Sequence, residues 1–144
     1  MTWAGISYWA VLLAAIAGFM VGGVWYRVFA QPWMAATGIT REQIRAHHGG
    51  GGDARHWLPF VYAFAAKLVM AWVLAGLLGH FGAGQVNVRN GVITAAFCWL
   101  GFVIPVMVVN NTFAMRDARL LAIDGGYWLV VLALMGAIIG AIGV

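Results

Sequence analysis

Lys67 is the residue in this sequence most suited to chemistry, because it stands in the middle of a long apolar segment. At a helical rise of about 1.5 Å per residue, it would lie roughly 15 Å from the nearer end of that segment. In a membrane this depth is close to the bilayer centre, where a charge costs at least about 2.5–3.5 kcal/mol. Lys67 is therefore expected to face protein or water and to have a partner.

Asp124 is the acidic residue best placed to be that partner. It is one of four acids in the chain and falls about one turn inside a later apolar segment. A lysine side chain extending towards the same membrane surface reaches such a position. The sequence predicts a Lys67–Asp124 pair, with Asn110 or Asn111 as hydrogen-bonding neighbours. The set is either a polar path for protons or ions or a buried pair that fixes helix register. Asp124 is also explained by the dipole of the helix that it enters.

Pro105 is expected to kink the apolar segment in which it lies, because proline lacks an N–H and cannot complete the helical hydrogen-bond ladder. The carbonyl freed near Gly101 is then available to a ligand or to a neighbouring helix.

Residues for other chemistry are scarce. The histidines of the first loop, His47, His48 and His56, have no carboxylate or thiolate set beside them, so no metal site is predicted. Ser7 is the only serine, and no nucleophile with a base is apparent. The sequence predicts neither an enzyme nor a cofactor.

The amino-acid composition indicates that this chain is embedded in a lipid bilayer. Hydrophobic residues make up 64% and charged residues 8% of 144 residues, whereas soluble domains carry about 25% charged residues. Four segments reach the roughly 20 residues that cross a bilayer. The prediction is an all-α integral membrane protein, a single domain over 1–144. Its four transmembrane helices cover about 5–29, 57–81, 91–114 and 120–144.

Basic residues are distributed unequally among the predicted loops. The first and third loops with their flanks hold Arg27, Arg41, Arg45, Arg55, Arg116 and Arg119, whereas the opposite side holds Arg89. Basic loops stay in the cytoplasm, so both termini are predicted on the outer side. The net charge of +4 forms no basic stripe, and nucleic acid is not an expected partner.

The first loop carries a helix signal of its own. Thr40 precedes Gln43 by three residues, a capping-box pattern that predicts a short amphipathic helix over 41–48. Its apolar side chains would rest on the membrane surface. The Gly49–Gly52 run that follows is expected to act as a flexible hinge.

Small residues recur at four-residue spacing in two of the segments. Gly18 and Gly22 do so in the first, and Gly136 and Gly140 in the fourth. Such faces let membrane helices approach closely. They would either build the internal bundle or join subunits.

Several blocks of this sequence are not generic membrane sequence. They are Gly23-Val-Trp-Tyr26, Trp33-Met34 followed by Gly38–Ile44, Leu121–Leu129 running into Met135–Gly140, and Asn110. With them the chain resembles the bacterial membrane family known as domain of unknown function 1761 over nearly its whole length. The resemblance implies a small four-helix protein of the bacterial inner membrane and no particular activity. The Gly49–Gly52 run departs from the family pattern, and Lys67 is not taken as a family trait.

The sequence favours two functions, and a membrane enzyme is the least favoured third because no catalytic set of residues is apparent. The first is an oligomeric transporter or channel for a small solute or ion, with proton coupling as one form. The second is a structural or accessory subunit of a larger membrane complex. Either would be embedded in the lipid bilayer, and the partner is a second copy of the chain or a different membrane protein.

Overall fold

The computed structural model describes residues 5–48, 54–82 and 84–144. Seven α-helices and one π-helical segment follow one another, and the described residues contain no strand. The α-helices are α1 (Tyr8–Val28), α2 (Ala30–Thr37), α3 (Arg41–His48), α4 (Ala54–Gly79), α5 (Val88–Cys98), α6 (Ile104–Phe113) and α7 (Ala118–Ile142). The π segment, Trp99–Val103, joins α5 to α6.

Four helical stretches are long and apolar enough to cross a membrane: α1, α4, the continuous α5–π–α6 stretch Val88–Phe113, and α7. The predicted four-helix membrane fold is confirmed. Segments of this kind must be helical, because every backbone N–H and C=O in lipid needs a partner within the protein.

The first loop holds two short helices where the sequence analysis predicted one. The capping box of α3 is confirmed: the Thr40 N–H donates to the Gln43 side chain at 2.9 Å, and the Gln43 N–H donates to the Thr40 hydroxyl at 3.2 Å. The unpredicted α2 begins directly after α1 and ends at Gly38, whose φ of 70° is left-handed. Its proline, Pro32, lies in the first turn, where a missing N–H costs little. The predicted hinge Gly49–Gly52 lies outside the described residues.

Helix α7 is the centre of the bundle and packs against α1, α4 and α5. Its side chains Val131, Met135 and Ile139 are fully buried. The third span, Val88–Phe113, lies at the edge of the bundle: 6% of the residues in its most apolar stretch are buried, against 44% in that of α7.

The four predicted packing glycines all face other helices of the same chain. A Cβ on Gly18 would lie 2.7 Å from the Met135 side chain, and one on Gly22 would lie 3.0 Å from the Tyr127 hydroxyl. A Cβ on Gly136 would collide with the backbone of Gly91, which the sequence analysis did not identify. One on Gly140 meets the α5 N-terminus in the same way. These positions therefore build the internal bundle.

A π segment lies just before Pro105, the residue at which the sequence predicts a kink. The Ile104 N–H donates to the Trp99 carbonyl, five residues earlier, instead of four. Pro105 follows in the first turn of α6, where its missing N–H is tolerated. The proline thus coincides with a change of helix type in the third span.

Candidate functional site

Lys67 is buried, with 2% of its surface exposed. It begins the face of α4 that continues with Ala71, Leu74, Ala75 and Leu78, all of them buried. Residues at these spacings share one side of a helix. The helical period itself therefore directs Lys67 towards the interior of the bundle rather than towards lipid.

Two aromatic rings of α7 lie beside the Lys67 ammonium. Its Nζ is 5.0 Å from the ring centroid of Trp128 and 5.3 Å from that of Tyr127. Both distances fall within the range of cation–π attraction, which strengthens when the pair is desolvated. Within residues 5–48, 54–82 and 84–144, Lys67 forms neither a hydrogen bond nor an ion pair.

The predicted ion pair between Lys67 and Asp124 is therefore not formed. Asp124 lies one turn before Trp128 on α7, and its carboxylate accepts a hydrogen bond from the Tyr26 hydroxyl at 2.6 Å. Such a short bond to a carboxylate is among the stronger hydrogen bonds in proteins. Tyr26, at the end of α1, occupies the position that the lysine was expected to take.

The helix dipole does not account for Asp124 either, because α7 begins earlier than predicted. Asp117 is its N-cap and accepts a hydrogen bond from the Arg119 N–H at 2.8 Å. The Arg119 guanidinium pairs with the same carboxylate at 2.8 Å. The hydrogen bonds from the side chain and backbone of Arg119 lower the pKa of Asp117 to about 2. Asp124 lies almost two turns further along the helix.

Two indole rings hold the backbone on either side of Asp124. Trp25 of α1 donates to the Ile123 carbonyl at 3.1 Å, and Trp99 of the π segment donates to the Gly125 carbonyl at 2.8 Å. Gly126 makes room for one of them, since a Cβ there would lie 3.3 Å from the Trp25 ring. Sequence reasoning missed this clamp. The paired glycines after an aspartate inside an apolar helix were the available signal.

A cavity of about 790 Å³ lies between α1, α4 and α7, with Lys67 in its wall. Its lining holds one further cation, Arg27, and no acidic residue. Six aromatic side chains also line it: Phe19, Tyr26, Phe60, Tyr62, Tyr127 and Trp128. We call this space the lysine cavity.

A second cavity of about 580 Å³ lies under α2 and α3. Trp33, Met34 and Arg41 contribute to its lining, and it shares Tyr26 and Pro59 with the lysine cavity. Tyr26 therefore stands in the wall between an intramembrane space and a space covered by the first loop.

Asn110 and Asn111 do not join this site. Both lie on α6 and line neither cavity. Asn110 is exposed on the outside of the bundle, and the Asn111 side-chain nitrogen is buried with no hydrogen-bond partner in the described part of the chain. Of the four residues predicted to form one polar path, the structure places Lys67 and Asp124 in the same region and separates the two asparagines from it.

Groups of three or more histidine, cysteine, aspartate or glutamate residues suited to a metal ion are absent from the described residues. The groups that the cavity offers to a ligand are instead the Lys67 ammonium, the faces of its aromatic rings and the Tyr26 phenol.

Four membrane-length helices around a buried lysine define a small multi-pass membrane protein. The family model described as "Protein of unknown function (DUF1761)" matches residues 9–140, and the chain belongs to this family. No curated protein and no solved structure matches it. Two of the sequence blocks that carry the resemblance meet in space, since Trp25 and Tyr26 of the first donate hydrogen bonds to Ile123 and Asp124 of the last.

Proposed function

We propose that this protein is a small membrane transporter whose solute binds in the lysine cavity. One observation carries the proposal: Lys67 is buried in a membrane-spanning helix, borders a cavity of about 790 Å³, and has no acidic partner among the described residues. Charged residues inside membrane spans are costly, and they commonly mark substrate or ion pathways.

The shape of the cavity supports a transporter more than an open channel. The cavity extends from Lys67 to Arg27 in the last turn of α1 and to Pro59 near the start of α4. Beyond Lys67 the bundle is filled by buried side chains such as Leu74, Leu78 and Ile139. A site reached from one side and closed on the other is the arrangement from which alternating access proceeds.

Flux through reconstituted protein tests this function. Purified protein in liposomes is challenged with gradients of small anions, cations and neutral solutes, and uptake is followed by osmotic swelling, with an internal pH dye to detect proton coupling. Lys67→Met is expected to abolish the flux while remaining monodisperse in detergent. Arg89→Gln, which removes one positive charge at the exposed start of α5, is the matched control. Equal flux in Lys67→Met and wild type, or none above empty liposomes for any solute class, contradicts the proposal.

A second candidate, a structural or accessory subunit of a larger membrane complex, rests on the third span. Only 6% of the residues in the most apolar stretch of that span are buried. The span also carries the exposed Asn110 and the Asn111 side-chain nitrogen, which has no hydrogen-bond partner among the described residues. Amides of this kind bond across neighbouring membrane helices, so contact with another chain would satisfy them. Native mass spectrometry from gently extracted membranes separates the outcomes. A homo-oligomer favours the transporter, whereas a stoichiometric larger partner favours the accessory role.

The membrane is proposed to be the bacterial cytoplasmic membrane, with both termini outside, as the basic first and third loops indicate. Single cysteines at Thr40 and Gln85, in a Cys98→Ala background, report the two sides. An impermeant maleimide applied to intact spheroplasts should label Gln85→Cys and spare Thr40→Cys. The reverse labelling pattern would invert the topology.

A further inference from the structure

We propose that the solute of the lysine cavity is a small organic anion with an aromatic or similarly apolar body, of the aryl carboxylate class. This inference rests on the transporter proposal, since it names the substrate class of the same site. The charge of the cavity, the unused hydrogen-bonding capacity of Lys67 and the nature of the walls argue for it separately.

The charge balance of the cavity selects an anion. Lys67 and Arg27 both line it, and no acidic residue does. Asp124 does not line the cavity and forms no ion pair with Lys67 in the described part of the chain; its carboxylate accepts a hydrogen bond from Tyr26. A cationic solute would meet two like charges in a low-dielectric space, and a neutral solute would leave the lysine uncompensated. An anion supplies the missing opposite charge.

The contacts of Lys67 leave its hydrogen-bond donors available. An ammonium group carries three N–H donors. The Tyr127 and Trp128 rings attract its charge at 5.3 and 5.0 Å, but ring faces are far weaker acceptors than oxygen. A carboxylate on the cavity side would accept these N–H groups while the rings continue to hold the ammonium in place.

The size and walls of the cavity select an anion with an apolar body. About 790 Å³ is within the usual range of roughly 300–1,000 Å³ for organic ligands. A halide or inorganic phosphate would leave most of it unfilled. Phe19 and Phe60 form an edge-to-face pair with centroids 6.4 Å apart in the same wall, and aromatic ligands pack well against such edges and faces.

A membrane lipid fits the site less well than a free anion. Lipid headgroups lie at the membrane surface, where Arg27 stands in the last turn of α1. The Lys67 side chain lies beside Gly18, nine residues before Arg27, which is roughly 13 Å along α1. An anionic headgroup would have to descend that distance to reach it. A soluble anion small enough to enter the cavity whole does not face this constraint.

Binding of four probes to the wild-type protein provides the first test. In nanodiscs of neutral phosphatidylcholine, calorimetry compares phenylpropionate with phenylpropanol, phenylpropylamine and acetate. Phenylpropanol is neutral and phenylpropylamine is a cation, whereas acetate keeps the carboxylate but lacks the aromatic ring. Phenylpropionate is expected to bind at least about tenfold more tightly than the other three, as a charge-assisted hydrogen bond contributes that much. Comparable binding of the alcohol or the amine overturns the inference.

Variants connect this preference to Lys67. Lys67→Gln should lose phenylpropionate binding, Lys67→Arg should retain part of it, and Arg89→Gln should bind as wild type does. Monodisperse elution checks that each variant is folded, and the wild-type probe series stands even if Lys67→Gln is not. Equal binding by Lys67→Gln overturns the inference. So does Lys67-dependent capture of phosphatidylglycerol that excludes phenylpropionate, since the ligand would then be a lipid.

Failure of this inference is separable from failure of the transporter proposal. Lys67-dependent uptake of a neutral or cationic solute, without phenylpropionate binding, overturns the substrate class and leaves transport standing. Lys67-dependent binding of phenylpropionate without any uptake into liposomes supports the anion site and contradicts transport.

Discussion

Tyr26 and Asp124 are 98 positions apart in the chain, and the Tyr26 hydroxyl donates a hydrogen bond of 2.6 Å to the Asp124 carboxylate. This bond ties the end of α1 to α7 at the wall between the two cavities. Lys67 lies beside the aromatic rings of Tyr127 and Trp128, the latter one turn after Asp124 on the same helix, and forms no ion pair with that carboxylate among the described residues.

Removing the Tyr26 hydroxyl should destabilise the bundle. Tyr26→Phe leaves the ring in place and takes the donor from Asp124, and hydrogen bonds between membrane helices contribute about 0.6 kcal/mol on average and up to about 1.7 kcal/mol. We expect a value near the upper end, because the acceptor is a carboxylate. Reversible unfolding in mixed micelles measures it. Tyr62→Phe, the same chemical change at a side chain that is 68% exposed, should have almost no effect, and equal losses in both variants would contradict the prediction.

The Trp99 indole should contribute to stability in a way that the exposed indoles do not. Trp99→Phe loses the 2.8 Å bond to the Gly125 carbonyl, for which we expect a loss of about 0.5–1.5 kcal/mol in the same unfolding assay. Trp9→Phe is the control, because Trp9 is 73% exposed. If the two variants unfold alike, the indole bond has no measurable role in holding α7.

The closest helix contact predicts the most damaging glycine substitution. A Cβ on Gly91 would collide with the Gly136 carbonyl oxygen, whereas one on Gly23 would have nothing within 4 Å. Gly91→Ala should therefore separate α5 from α7 and cost more than about 2 kcal/mol. Gly23→Ala should be neutral or slightly stabilising, since alanine favours a helix. Chemical crosslinking between α5 and α7 would report the separation, and unchanged crosslinking in Gly91→Ala would refute it.

The Asp117 cap predicts a dependence on pH. The pKa of this carboxyl in the folded protein is about 2, below the ordinary value of about 3.9. Its contribution to stability is therefore present above about pH 4 and is lost as the pH falls towards 2. In Arg119→Gln the pKa should rise, because the guanidinium no longer bonds to the carboxylate. Carbon NMR titration of the Asp117 carboxyl measures both values, and the same midpoint in the variant would exclude Arg119 as the cause.

The parts of this molecule that depend on local pattern were predictable from sequence. Apolar length identified the four spans, the Thr40–Gln43 spacing identified the start of α3, and the cost of a buried charge singled out Lys67. Each of these rests on neighbours within a few residues, or on the solvent, and needs no knowledge of how helices are arranged.

The contacts that the candidate site residues make with other helices depend on how distant parts of the chain pack together, and they were not predictable from sequence. The choice between Lys67 and Tyr26 as the partner of Asp124 depends on where α1 ends relative to α7. The asparagines were assigned to the lysine path from their polarity and their position after Pro105. The lysine cavity lies between α1, α4 and α7, and no residue of the third span lines it, a helix arrangement that local pattern does not encode.

The π segment also determines where this chain can lose a residue. A single π turn is equivalent to one residue inserted into an α-helix. Deleting one residue within Trp99–Val103 should close the turn to regular α-helix and leave both flanking helices facing as they do now. The same deletion placed between Gly91 and Cys98 would rotate everything before it by about 100° relative to the remainder, turning Gly91 away from Gly136. Two shortened proteins of identical length are thus expected to differ completely in whether they assemble.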